Sequence, residues 1–98
     1  MRKKHAISIQ RIMEVLIITQ DGLVVFRVKN LRQKAGSLPK VRTEMGRAYI
    51  RIDGKPVNLA KAAWAFHTGR WPERQPVQRR RDPYDYSMRN LVLGSRDR

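Results

Sequence analysis

Apolar residues along this chain switch between helical and strand-like spacing. Within residues 7–18, Ile9, Ile12, Met13 and Leu16 fall at i, i+3, i+4 and i+7, which is one face of a helix. Val15, Ile17 and Ile18 are β-branched and disfavour helix, so the spacing predicts a stop near Val15. Asp21-Gly22 signals a turn, and Leu23 to Val28 reads as a strand. Periodicity is lost over residues 29–46, where Gly36, Ser37, Pro39 and Gly46 sit among several Lys and Arg, and a basic loop is expected. From Ala48 to Asp53 the alternation is clean, with Ala48, Ile50 and Ile52 on one face and Tyr49, Arg51 and Asp53 on the other. Asp53-Gly54 makes a second turn, and Lys55-Pro56-Val57 is placed to pair back as a hairpin arm.

Asn58 is a good N-cap for a helix whose Leu59, Ala62, Ala63 and Phe66 form one stripe and which Gly69 is placed to end. Residues 70–81 are basic and interrupted by proline, Asp82-Pro83 opens another turn, and Asn90-Leu91-Val92-Leu93 reads as a short strand. The expected fold is one small α+β domain over residues 1–98: a basic arm at 1–6, a helix plus antiparallel strands at 7–57, a helix and hairpin at 58–94, and a polar tail at 95–98.

Composition narrows the picture. With 98 residues and 41% apolar content the chain can build one small core, and a monomer or a homodimer is expected. There is no cysteine, which removes disulfides and thiolate zinc sites. Val15 to Ile18 is too short an apolar run to span a bilayer, and the basic start Met1-Arg2-Lys3-Lys4 lacks the apolar core of a signal peptide. A cytoplasmic protein without a membrane partner is expected.

Charge points to a polyanion. The chain carries 22 Lys and Arg against 8 Asp and Glu, a formal +14. Solubility of a small domain needs a net charge of only about 2 to 8. Residues 1–50 hold 11 basic and 3 acidic residues and residues 51–98 hold 11 and 5, so the positive field covers both halves. A nucleic acid is the expected partner, ahead of an acidic protein or a membrane surface.

Three segments carry a family resemblance. They are Gly46-Arg-Ala-Tyr-Ile-Arg-Ile-Asp-Gly-Lys-Pro-Val, Leu59-Ala-Lys-Ala-Ala-Trp-Ala-Phe-His-Thr-Gly-Arg-Trp-Pro-Glu, and Asp82-Pro-Tyr-Asp-Tyr-Ser-Met-Arg-Asn-Leu. Together they resemble the phage and homing-endonuclease branch of the HNH nucleases, and Glu14 through Val28 resembles the segment before that core. The resemblance implies a ββα-metal hairpin in a bacterial host's cytoplasm or nucleoid. In that family a helix bearing Ala-His-Arg precedes an Asp-His pair on a strand, and an Asn-Leu pair lies on the return strand. The Asp binds a divalent metal, the His activates water, and the Asn holds the loop that orients the His.

In register, the metal Asp is Val77 here, the base His is Gln78, the helix His is Ala60, and its neighbouring Arg is Lys61. Valine cannot ligate a hard cation, and a glutamine amide has no useful basicity near neutral pH. Arg79, Arg80 and Arg81 replace the family's Ile-Asn-Gly, and a closing helix after the second strand is not expected before Arg98, which leaves the hairpin truncated. The resemblance therefore implies an inactive relative with no catalytic residue, metal or cofactor.

Arg79, Arg80 and Arg81 are the expected phosphate contacts, with Lys61, Arg70, Arg74 and Arg89 around them. Asn90 is expected to bridge the hairpin loop, and Trp64 and Trp71 to pack in the core. His67 sits where it favours a helix dipole and His5 lies in the basic arm, which does not make a metal pair. The leading expectation is a DNA-binding phage protein that regulates transcription or host DNA transactions. The alternative is a phage inhibitor that takes over a host enzyme by binding it through its basic surface.

Overall fold

The computed structural model describes residues 7–30, 33–80 and 82–94. The basic arm with His5, the polar tail and Arg81 lie outside the described residues. The described residues form an α+β fold, with two α-helices, three antiparallel sheets and one shared core.

Helix α1 (Ile9–Val15) starts at Ser8, whose Oγ accepts from the Arg11 N–H at 3.1 Å. It stops at Val15, and Leu16–Ile18 continue as strand β1, paired with β2 (Val24–Phe26) in the register Leu16↔Phe26 and Ile18↔Val24. Two residues depart from the expected pattern. Met13 is exposed, and the buried side of α1 is Ile12 and Val15, continued by Leu16. The early change to strand rotates Leu16 inward by pleat instead of by helical turn. The second strand is also shorter than the run 23–28, because Val28 is left exposed.

The segment expected to be a basic loop contains a strand. β3 (Arg42–Glu44) pairs with β4 (Arg47–Ile52), and β4 pairs with β5 (Lys55–Asn58), in the order β3-β4-β5. All three β3 side chains are exposed, so no apolar alternation marks it in the sequence. In β4, Ile50 and Ile52 are buried and Arg51 is exposed, as the alternation requires. Before β3, Asn30 is buried and satisfied. Its Nδ2 donates to the Arg51 carbonyl at 2.7 Å and its Oδ1 accepts from the Asp53 N–H at 3.2 Å.

Helix α2 (Leu59–Thr68) is capped by Asn58, whose Oδ1 accepts from the Lys61 N–H at 3.0 Å, and it ends at Gly69. Asn58 Nδ2 also donates to Gln75 Oε1 at 2.9 Å, tying the helix start to the last hairpin, β6 (Pro76–Gln78) and β7 (Leu91–Leu93). Leu59, Ala62, Ala63 and Ala65 are buried, while Phe66 is only partly so and packs at the margin with Trp64 and Trp71. The alanines let α2 lie close to α1 and to β4, β5 and β6.

Phe26, Ile12, Leu16, Ile50, Ile52 and Val15 are the largest fully buried apolar side chains, drawn from α1, β1, β2 and β4. Arg11 spans α1 and the β4–β5 turn, with Nε and Nη2 donating to Asp53 at 2.9 and 3.0 Å. Both partners are open to water, so this pair orients the turn more than it stabilises the fold. No helix among the described residues is long and apolar enough to cross a membrane.

Phe26→Ala removes the largest fully buried side chain. A loss of about 3–5 kcal/mol is expected, against a total of about 5–15 kcal/mol for domains of ordinary stability. Urea unfolding should show a clearly lowered midpoint with the slope little changed.

Candidate nucleic-acid interface

The loop between β6 and β7 is ordered from within by two carboxamides. Asn90 is 1% exposed and sits in a short 3-10 turn, Met88–Asn90. Its Oδ1 accepts from the Arg80 N–H at 2.8 Å and its Nδ2 donates to the Asp85 carbonyl at 2.9 Å. Its own carbonyl accepts from the Arg79 N–H at 2.8 Å. Gln78 Nε2 donates to the same Asp85 carbonyl at 2.9 Å and to that of Asp82 at 3.2 Å. Gln78 is thereby a brace across the loop.

Asp85 closes the far side. Its Oδ1 accepts from Ser87 Oγ at 2.7 Å and from the Ser87 N–H at 2.9 Å. The Ser87 hydroxyl, then its backbone N–H, hold the Asp85 carboxyl below the ordinary range against a desolvation penalty, with Arg89 and Arg80 adding attraction. A carboxyl lowered in the folded state contributes stability above its unfolded pKa. That contribution is lost as pH falls through the folded value.

The loop docks on the rest of the fold through its backbone. The Tyr86 N–H donates to the Gly22 carbonyl at 2.8 Å, and His67 Nε2 lies 2.9 Å from the Tyr86 carbonyl. A carbonyl only accepts, so His67 carries a proton on Nε2 in this contact. Burial pushes the Tyr86 phenol above its ordinary value. Gly22 has φ +88°, and a Cβ there would overlap the Asp85 carboxylate and come within 2.8 Å of the Ser87 nitrogen. The Asp21-Gly22 signal thus has a second meaning beyond the turn, one the sequence conceals because it depends on a loop far along the chain.

With its inner face satisfied, the loop presents its arginines outward. Arg79, Arg80 and Arg89 are exposed and line one surface depression of about 360 Å³. Among the described residues the ion pairs are Arg11 with Glu14 and Arg11 with Asp53, and neither involves these three. The three arginines thus share one depression, with no described carboxylate at ion-pair distance. Lys61, Arg70 and Arg74 do not line the depression. Lys61 is half-buried in the first turn of α2 and Arg70 is exposed just beyond its end. Arg74 is half-buried with its Nε enclosed and unbonded.

The β6–β7 hairpin also lines a groove of about 780 Å³. Ala60, Val77 and Gln78 all line it, together with Tyr84 and with Met45 and Arg47 of the β3–β4 hairpin. Three of the positions where the sequence departs from the HNH pattern therefore line one groove, furnished with a methyl, an isopropyl and an amide already committed to the loop. Among the described residues no three His, Asp or Glu side chains cluster as a metal site requires. The Met45 contribution was missed with β3. A Met-Gly turn lacks the Asn-Gly or Asp-Gly signature of a two-residue hairpin.

Comparison with models of known protein families, with curated proteins and with solved structures returns no match.

Two substitutions test the loop frame without touching an arginine. Gly22→Ala strains a left-handed backbone position and clashes with the docked loop, and is expected to cost more than about 1–3 kcal/mol. Asn90→Ala leaves the Arg80 N–H without its partner and should cost about 1–3 kcal/mol. Both should lower the urea midpoint and raise amide exchange between residues 79 and 90.

Proposed function

We propose that this chain is a DNA-binding protein of phage type: a relative of the HNH nucleases that grips the phosphate backbone and does not cut it. The observation that carries the reading is the convergence of Arg79, Arg80 and Arg89 on one depression with no carboxylate at ion-pair distance among the described residues. Guanidinium groups are the side chains best matched to phosphate oxygens, through paired N–H donors in a fixed plane. Burying Asn90 while exposing its arginine neighbours fixes the cationic groups on a rigid support, which lowers the entropy lost on binding. The formal +14 supplies long-range attraction.

The reading that it does not cut is supported by what lines the groove at β6. Val77 offers no ligand atom, Ala60 no base, and the Gln78 amide is spent on the Asp82 and Asp85 carbonyls. Phosphate contacts fix position and do not read bases, so affinity is expected to depend on salt more than on sequence. Control of transcription or of host DNA transactions is the role this binding mode serves.

Mobility shift with duplex DNA tests the reading. Binding should weaken steeply between low and moderate salt, and Arg80→Ala and Arg89→Ala should each reduce the slope of log affinity against log salt by about 0.9. Plasmid with magnesium or manganese should remain un-nicked. No shift at low salt would sink the proposal, and capture of a host protein from nuclease-treated lysate would replace it with the inhibitor reading. A preference for RNA over duplex DNA would move the same arginine contacts to a different polyanion.

A further inference from the structure

We propose that the β3–β4 hairpin is an apolar wedge that enters the minor groove of duplex DNA and parts a base step with the Met45 side chain. The inference rests on the DNA-binding reading and adds a second mode of contact, from a different part of the fold.

Met45 stands at the tip of the hairpin, in a turn whose strands close with the pair Glu44↔Arg47. It is 92% exposed, the most exposed large apolar side chain described. It therefore contributes nothing to the core. Its backbone is also unfavourable, since Met45 has φ +52° and Gly46 φ +78°, a turn with both central residues left-handed. Asp, Asn and Gly suit that geometry, whereas a long side chain is strained there. The molecule holds an internal comparison: the β4–β5 turn has nearly the same angles, φ +53° and +79°, and is made by Asp53-Gly54. Where this chain needs only a turn, it uses aspartate. At residue 45 it holds a thioether in water, in a conformation that disfavours it.

The surroundings of the tip identify the partner. The pair that closes the turn beside Met45 is Glu44 and Arg47, and Arg42 lies two residues further along β3, opposite Tyr49. All three residues of β3 are exposed, so the hairpin projects from the core. An apolar tip on a hairpin with Arg47 and Arg42 against the single acid Glu44, in a chain of formal charge +14, disfavours a second copy and suits a polyanion with an apolar interior. Stacked base pairs behind two phosphate rails have that character. Proteins that bind the minor groove part base steps with Met, Leu, Ile, Phe or Pro, while arginines beside the wedge take the narrow groove's negative potential. Met45 and Arg47 line the same groove as Val77 and Gln78, and Gln78 leads directly into Arg79. The hairpin that carries the phosphate cradle thus also lines the groove at which Met45 stands.

Duplex DNA carrying the fluorescent adenine analogue aminopurine at successive positions, with a donor and acceptor dye on its ends, tests this. The full chain should brighten aminopurine at the parted step severalfold and shorten the end-to-end distance. Met45→Asn and Met45→Ala should bind with affinity within about threefold of the parent, since phosphate contacts dominate affinity, yet lose the brightening and the bend. Met45→Asn should also melt at the same or a higher temperature, because asparagine tolerates the turn. Binding by the parent without brightening or bending would overturn the wedge and leave the phosphate reading intact. Retention of both signals in Met45→Asn would overturn it equally. Absence of any binding at low salt would overturn both readings. Loss of a dimer on sedimentation of Met45→Asn would reassign the tip to a second copy.

Discussion

The buried carboxamide of Asn90 is the constraint on which the basic surface depends. A chain with this much positive charge must hold arginines side by side, and their mutual repulsion favours opening the segment that carries them. Here much of the opposing force comes from neutral groups. Asn90 and Gln78 bond the loop backbone from inside without using a guanidinium group, and the Asp85 carboxylate adds attraction for Arg89 and Arg80. Neutral hydrogen bonds are indifferent to whether a phosphate is present. The loop keeps its shape whether or not its arginines are engaged.

The same separation runs through the molecule. Core and frame are built from aliphatic side chains and amides, and charge is confined to the outside, where ion pairs are few and partly hydrated. Arg11 is the exception, since it orients the Asp53-Gly54 turn against α1. Most of the other cations described are exposed. Such a surface is expensive to keep in isolation and is compensated when a polyanion approaches, which makes ionic strength the natural control variable for this protein.

Much of this was legible in the sequence, for local reasons. The Asn58 cap, the alanine stripe of α2, the Gly69 stop and the strict alternation of β4 are short-range signals, and the structure reproduces each. The Val15 stop followed from β-branching in the same way. What escaped was long-range. Strand β3 exposes all its side chains and exists because β4 offers it an edge, so no periodicity announces it. Met13 was placed inside by spacing that assumed a longer helix, and the change to β1 redirected that face. Asn30 looks like an ordinary loop residue until the Arg51 carbonyl and Asp53 amide are seen beside it. For the site, Arg79 and Arg80 were legible as a charge run. Their meeting with Arg89 and their separation from Lys61, Arg70 and Arg74 required the hairpin to be closed. The HNH resemblance was carried by motif and register, and the comparisons with known proteins neither add to it nor replace it.

The contact between Gly22 and Tyr86 has a consequence for how the molecule opens. Because the Gly22 carbonyl holds the Tyr86 N–H, and because there is no room between the two segments for a Cβ, the first hairpin and the last share a backbone seam. Segments joined in this way open as one cooperative unit, and the least stable member sets the free energy for both. The turn after β1 and the arginine loop before β7, distant in sequence, therefore belong to one foldon. A fluctuation beginning in the amino-terminal half is felt as a change in where the arginines stand.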